Sequence, residues 1–444
     1  MVERMKELIG QKKYAQFRQE VVELNEADIA SVLEDLEAEE RMKVFRILPK
    51  SIAADVFSYL PIEQEQEIIT SLSDKEAGGI VQNLFADDAA DLMEEMPANV
   101  VHRILASTDP ATRRDINSLL QYPEDSAGSI MTVEFVDLKE SLTVEEALLK
   151  IRKTGVDKET IDTCYVLDKS RCLIGTVSLR KLIISEREDK ISELMNEHVI
   201  TVKTLTDQEE VAHTFKKYDF TSIPVVDSEN RLVGIVTIDD IVDIIEEETT
   251  EDIEKMAAIM PSDKTYMRTG VFETWKKRIP WLLLLMISAT FTGKIISGFE
   301  DALSACVVLT AFIPMLMDTG GNAGGQASVT IIRGLSLDEI EYSDVFRIIW
   351  KELRVSVICG LTLAVANFAK LMLIDRVDLM VAVVICISLV LTVIIAKFVG
   401  CTLPILAKRI GFDPAVMASP FITTIVDALS LLVYFGVATK LLKI

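Results

Sequence analysis

The sequence predicts a multidomain membrane protein. Its parts are an α-helical superhelix, an α/β segment built as a repeat, a long connecting helix and an all-α membrane domain of five helices. Three observations predict it. Charge divides the 444 residues near position 271: from Phe272 onward 15 Lys and Arg face 13 Asp and Glu, a net of +2. The residues before it hold 31 basic and 56 acidic groups and so carry −25, while the whole chain carries −23. The long apolar runs are confined to the second part, and two repeats of different length fill the first.

The shorter repeat runs from Leu24 to about Met131. Breaks fall at Leu48-Pro49, Leu60-Pro61, Leu72-Ser73, Phe85-Ala86 and Met96-Pro97, with amphipathic stretches such as Ala53–Leu60 and Ala89–Met96 between them. Each stretch is too short to be a stable helix alone, so residues 1–130 are expected to stack into a superhelix. The longer repeat begins at Met131 and again at Met195. Its first copy passes through Leu142-Thr143-Val144-Glu145-Glu146-Ala147, Tyr165-Val166-Leu167-Asp168 and Gly175-Thr176-Val177-Ser178-Leu179. Its second passes through Leu205 to Val211, Pro224-Val225-Val226-Asp227 and Gly234-Ile235-Val236-Thr237-Ile238-Asp239-Asp240. Each copy reads strand, capped helix, strand, turn, strand, helix, with Thr143 and Thr206 as expected N-caps. The copies occupy about 131–190 and 195–245. A charged helical pattern from Ile241 to Phe272, broken near Pro261, connects them to the apolar part; residues 246–272 form this connector.

Residues 273–444 form the membrane domain. Its apolar segments are Pro280–Phe299, Ala302–Met317, Ser356–Ile374, Leu379–Leu403 and Ala415–Lys440. A span needs about 20 apolar residues, so the second must continue through the polar run Asp318–Gln326. Ser336–Arg354 reads as an amphipathic cytoplasmic connection. Met1–Glu20 has no apolar core of a signal peptide, so the N-terminus and soluble part are expected inside. Five spans then place Lys276, Lys277, Arg278, Arg333, Arg347, Lys351, Arg354, Lys408 and Arg409 on the cytoplasmic face, as the positive-inside rule requires. The C-terminus is expected outside.

Asp427 is the only formal charge in Ala415–Phe435. A carboxylate at the bilayer centre costs roughly 2.5–3.5 kcal/mol on insertion scales and is tolerated in a cavity or beside a partner. Pro420, Thr423 and Thr424 fall on the same helix face, which carries no positive charge. This pattern points to a site for a cation or a proton. An acidic soluble part argues against nucleic acid, whose phosphates demand basic surfaces. The six cysteines form no CxxC pair and are expected as free thiols; the three scattered histidines argue against zinc-type coordination.

The longer repeat resembles a tandem CBS (cystathionine-β-synthase-type) pair. With the acidic helical N-domain, the acidic connector and five spans, the whole chain resembles the MgtE family of magnesium channels. The most specific pieces are Gly320-Gly321-Asn322-x-Gly324-x-Gln326 and Ser419-Pro420-x-x-Thr423-x-x-x-Asp427. The resemblance implies a homodimer in a bacterial-type plasma membrane, with the last spans lining a pore on the two-fold axis. Two Asp427 carboxylates would hold hydrated Mg²⁺ there, assisted by Thr423 and Ser419, the latter standing where some relatives have Asn. Asp413 matches an acid at the cytoplasmic pore mouth. Asp87 and Asp91 match acids of the N-domain, and Asp207, Glu209, Asp219, Asp240 and Asp243 those of the CBS part. Glu248, Glu251 and Asp252 match the connecting, or plug, helix. Mg²⁺ bridging these acids would shut the pore.

CBS pairs often bind adenine nucleotides through a [Ser/Thr]-x-x-Asp pattern. Thr237-x-x-Asp240 fits it, but the first copy reads Ser178-x-x-Lys181, which argues against nucleotide regulation. Asp318-Thr319-Gly320 also spells the aspartic-protease triplet; a single copy reads better as the polar end of the second span. Besides the Mg²⁺-gated channel, a carrier for another divalent ion or for protons stays open, as do an intramembrane aspartyl protease and a non-conducting Mg²⁺ sensor.

Overall fold

The computed structural model describes the chain except residues 1, 51, 263–265, 267, 268, 338, 418 and 444, and the side chain of residue 419. The chain divides into two compact units, Met1–Ile245 and Glu246–Ile444.

The first unit begins with short helices whose breaks follow the shorter repeat. Among them are Ala53–Ser58, α1 (Ile62–Ser71), Asp74–Val81, α2 (Ala86–Glu94) and Ala98–Ser107. None has the length to be stable in isolation; a continuous core threaded by Phe17, Leu33, Phe57, Ile69, Val81 and Leu92 holds them. Two small sheets follow. In the first, β1 (Val136–Lys139) pairs parallel with β2 (Thr163–Leu167), and β2 antiparallel with β3 (Leu173–Ser178). In the second, β4 (Val202–Lys203), β5 (Ser222–Val226) and β6 (Leu232–Thr237) repeat that order. The matching helices are α3 (Val144–Thr154) and α4 (Gln208–Tyr218).

The two copies exchange their entry segments. A Cβ on Gly175 of β3 would lie 2.7 Å from the Met195 sulfur, and one on Gly234 of β6 would lie 2.6 Å from the Met131 sulfur. Each repeat's opening methionine thus lies against the last strand of the other copy, a close approach that glycine permits. Tyr165 and Ser222 hydrogen-bond across the copies at 2.9 Å, fully inside the joint core. Thr143 caps α3 in a reciprocal capping box with Glu146, as expected. In the second copy the cap is one residue later: Asp207 accepts from the Glu209 amide, while Thr206 accepts from the Lys203 amide instead. The carboxylate is the stronger acceptor for free amides at a helix N-terminus.

α5 (Ile238–Met256) begins in the first unit and ends in the second. The second unit is helical: α6 (Val271–Gly298), α7 (Ile313–Ser336), α8 (Val345–Lys370), α9 (Leu379–Arg409) and α10 (Ser419–Leu442). Among the described residues, four helical stretches are long and apolar enough to cross a membrane: Val271–Gly298, Tyr342–Asp375, Leu379–Arg409 and Pro414–Leu442. Two expectations need correction. The Ala302–Met317 segment is not one span: a short helix, Glu300–Ala305, stops at Cys306, a 3₁₀ stretch follows, and α7 starts only at Ile313. Ser336–Arg354 is not a separate connection either, because its second half is the first turns of α8.

α7 runs helically through the whole glycine-rich stretch. Its small face lets backbones meet: a Cβ on Gly400 of α9 would fall 2.2 Å from the Gly324 carbonyl oxygen. Small residues at such crossings are how helices associate in lipid, where no hydrophobic force drives them together.

Candidate cation sites

In the first unit, four carboxylates from three parts of the chain gather. Asp87 and Asp88 open α2, Asp240 opens α5, and Glu159 lies in the loop before β2. Asp87 is only 8% exposed, and its Oδ1 accepts from the Asp88 amide at 3.1 Å. Burial, then the neighbouring Asp240, Asp88 and Glu159 charges, push its carboxyl well above the usual range. Asp88 is raised to about 7 by burial and by Asp240, Asp239 and Glu134. Glu159 is raised to about 8 by burial and by Asp239, Asp240 and Asp88, and its Oε2 is buried without a hydrogen-bond partner. Asp240 reaches only about 6: burial raises it, but the Thr237 hydroxyl donates to its Oδ2 at 2.6 Å.

Among the described residues, none of these four carboxylates is ion-paired to a basic side chain. Poorly solvated like charges set close together are relieved by protons or by a cation. Nearby on α1, Glu65 is pushed to about 9 by burial and by Asp88 and Asp91. Among the described residues no three acids converge tightly enough to ligate a bare ion.

The structure therefore brings Asp87 and Asp240 together, with Asp91 one turn along α2. It adds Asp88, Glu159, Glu134 and Asp239, which sequence reasoning missed. Asp207 serves as the α4 cap, and Asp219 ends the same helix in the left-handed conformation. The Asp243 charge adds to the rise at Asp240.

In the second unit, the last turns of α5 meet the turn before α10. The Lys255 ammonium lies 2.7 Å from Glu251 and 2.7 Å from Asp413. Asp413 also accepts from the Ala415 amide at 2.7 Å, which fixes its carboxylate. Asp252 accepts from the Ser336 hydroxyl at 3.4 Å; burial, then the Asp413 charge, raises its carboxyl. Glu248 lies two turns before Lys255 on α5.

Asp427 sits in the middle of α10, half-buried, and its Oδ1 has no hydrogen-bond partner. Thr424 donates to the Pro420 carbonyl at 3.1 Å, and Thr423 lies against Gly321 of α7. The Ser419 side chain lies outside the described residues. Three wholly buried hydroxyls around the same helices, Ser388, Thr392 and Ser430, also lack partners. A Cβ on Gly320 would touch both Thr392 and Ser430. Elsewhere, Lys397 of α9 and Glu352 of α8 form a buried ion pair at 3.7 Å. A lone Lys in an apolar run and a Glu in a basic stretch gave no sequence signal for that pairing.

The divalent cation transporter family matches residues 313–437, the MgtE intracellular N domain 24–125, and the CBS domain 127–187 and 191–247. The magnesium transporter MgtE of Thermus thermophilus is 39% identical over 430 residues, 96% of this chain and 95% of that one. The magnesium transporter MgtE of Bacillus subtilis is 36% identical over 432 residues, 97% of this chain and 95% of that one. A crystal structure of the cytosolic domain of the Mg²⁺ channel MgtE in complex with ATP aligns with a TM-score of 0.53 at 39% identity. It covers 55% of this chain and 100% of that one.

Fold and matches together define a membrane transport protein with a soluble, CBS-bearing part, and not an enzyme. The chain belongs to the MgtE family. The ATP complex of that relative gives no support to dismissing nucleotide binding on Lys181. The second-copy pair Thr237 and Asp240 is intact, so one departed position leaves half of the pattern in place.

Proposed function

We propose that this protein is a homodimeric Mg²⁺ channel of the plasma membrane, with its soluble part and N-terminus cytoplasmic and its C-terminus outside. Intracellular Mg²⁺ shuts it by bridging the acids of the soluble part and α5. The observation that carries this reading is the cluster of Asp87, which is buried, with the half-buried Asp88, Glu159 and Asp240, none of them ion-paired to a basic side chain among the described residues. Without a divalent cation these charges repel, and the elements that bear them loosen. With one, they draw together. A ligand shifts such an equilibrium only by its preference for one state, and several weak sites acting jointly give a steep response.

In the pore, Asp427 from each subunit holds the hydrated ion through its water shell, with Thr423 and Ser419 lining the path. Mg²⁺ sheds water reluctantly, so the size and geometry of the hydrated ion set selectivity. Asp413, Glu251, Asp252 and Glu248 belong to the mouth and connector, and Asp91, Asp207, Glu209, Asp219 and Asp243 to the soluble sensor. An adenine nucleotide at Thr237 and Asp240 shares Asp240 with the acid cluster, so its binding and Mg²⁺ sensing are coupled.

The test is Mg²⁺ influx into proteoliposomes loaded with a fluorescent Mg²⁺ indicator. Wild type conducts when internal Mg²⁺ is low, and Asp427→Asn does not. Influx that needs a proton gradient and saturates at low flux would instead identify a coupled carrier.

A further inference from the structure

The acids at the end of α5 already hold a cation, and it belongs to the chain. Lys255 reaches Glu251 one turn back on its own helix and Asp413 across the fold, both at 2.7 Å. The three side chains are only 23%, 36% and 34% exposed, so water screens the contact less than at an open surface. Asp252, on the same turn, accepts from the Ser336 hydroxyl at 3.4 Å.

The same turn of α5 is also seated by apolar contact. Met256 packs against Ile332 of α7 and Ala415. Just beyond it, the Met260 amide donates to the Lys277 carbonyl at 3.1 Å, and Lys277 Nζ donates to the Pro261 carbonyl at 2.9 Å. None of these contacts needs a metal ion.

We propose that Lys255 is a tethered cation that occupies the Asp413–Glu251 pair in place of Mg²⁺ and clamps the last turn of α5 onto the 411–415 turn. The clamp itself stands on the geometry; its consequence for gating rests on the channel reading. Mg²⁺ can use Asp413 and Glu251 together only by displacing an ammonium that cannot diffuse away, so Lys255 weakens the metal's hold at this point. Loss of Mg²⁺ then frees the acidic upper turns of α5 while its end stays docked, and Lys255 sets how much closure survives without Mg²⁺.

Hydrogen–deuterium exchange on the full-length protein in detergent reads the clamp without ion flux. In EDTA, the amides of the last α5 turn in wild type are protected. Lys255→Gln raises their exchange about 10-fold, Lys255→Arg leaves it near wild type, and Lys255→Glu with Asp413→Lys restores protection. Adding 10 mM MgCl₂ re-protects Lys255→Gln, because the metal takes the vacated pair. Wild type exchanging as fast as Lys255→Gln in EDTA would overturn the clamp, as would equal loss in Lys255→Gln and the charge swap. A protein that conducts no Mg²⁺ yet shows the full exchange pattern would refute the channel reading and leave the clamp standing.

Discussion

Asp88→Asn should make the soluble unit more stable, not less, when Mg²⁺ is absent. Asp88 has a folded-state pKa of about 7 against an ordinary 3.8, raised first by burial and then by Asp240, Asp239 and Glu134. The folded state therefore binds more protons than the unfolded chain between about pH 4 and pH 7, and stability falls as pH rises through that window. Keeping Asp88 ionised at pH 8 costs on the order of 4 kcal/mol. Glu159, at about 8, titrates with it, so relieving one relieves part of the other and the increments do not add. Partial solvent access lowers the figure further. For a unit of this size, about 1 kcal/mol moves the melting temperature by roughly 2–4 °C. Asp88→Asn should thus raise the Tm of the Met1–Ile245 fragment by about 5–10 °C at pH 8 in EDTA, measured by circular dichroism. Near pH 4.5 the gain should shrink to roughly a quarter. With 10 mM Mg²⁺ at pH 8, wild type should gain more than the variant and close the gap. Destabilisation by Asp88→Asn in EDTA at pH 8, or a gain that ignores pH, would refute the reading of these acids as a frustrated cation site.

Gly400→Ala drives a methyl into the Gly324 carbonyl, a backbone atom that cannot step aside. It should destabilise the detergent-solubilised protein by about 1–3 kcal/mol, seen as earlier heat aggregation on size-exclusion chromatography. Gly175→Ala meets the Met195 side chain at its sulfur, Cγ and Cβ, so the added Met195→Ala, which removes the first two, should recover part of its loss in Tm. Asp240→Ala should weaken ATP binding to the Met1–Ile245 fragment at least about 10-fold by calorimetry; unchanged affinity would remove Thr237 and Asp240 from the nucleotide site. Lys397→Met should cost about 3–5 kcal/mol of stability in detergent by stranding Glu352, while Lys397→Met with Glu352→Leu should recover most of it.

Much of this fold was legible because it repeats. The spacing of Pro and Ser breaks gave the short helices, and paired Thr and Gly signals gave the two strand–helix copies. What failed were places where neighbours decide. Thr206 and Asp207 are both good caps, and the fold selects the second because the Thr206 hydroxyl is taken by the Lys203 amide. The 302–317 run is apolar enough for a span, yet the chain turns at Cys306 and the helix begins at Ile313. The glycine run 320–325 has poor intrinsic helicity; packing against α9 and α10 makes it helical.

The candidate sites divide the same way. An acid inside an apolar helix announces itself, so Asp427 needed no fold. Glu159 sits in a loop with no period, and only folding brings it beside Asp88 and Asp240. Lys255 looked like one charge in a mixed run, and its partner Asp413 is far along the chain.

The central claim is that cytoplasmic Mg²⁺ closes an Mg²⁺-conducting pore built around Asp427. Mg²⁺ current through excised inside-out patches, with cytoplasmic Mg²⁺ stepped from micromolar to about 10 mM, tests both halves at once. Wild-type current should shut off as internal Mg²⁺ rises, and Asp427→Asn should carry none at any concentration. Current in wild type that is indifferent to internal Mg²⁺ would contradict the account.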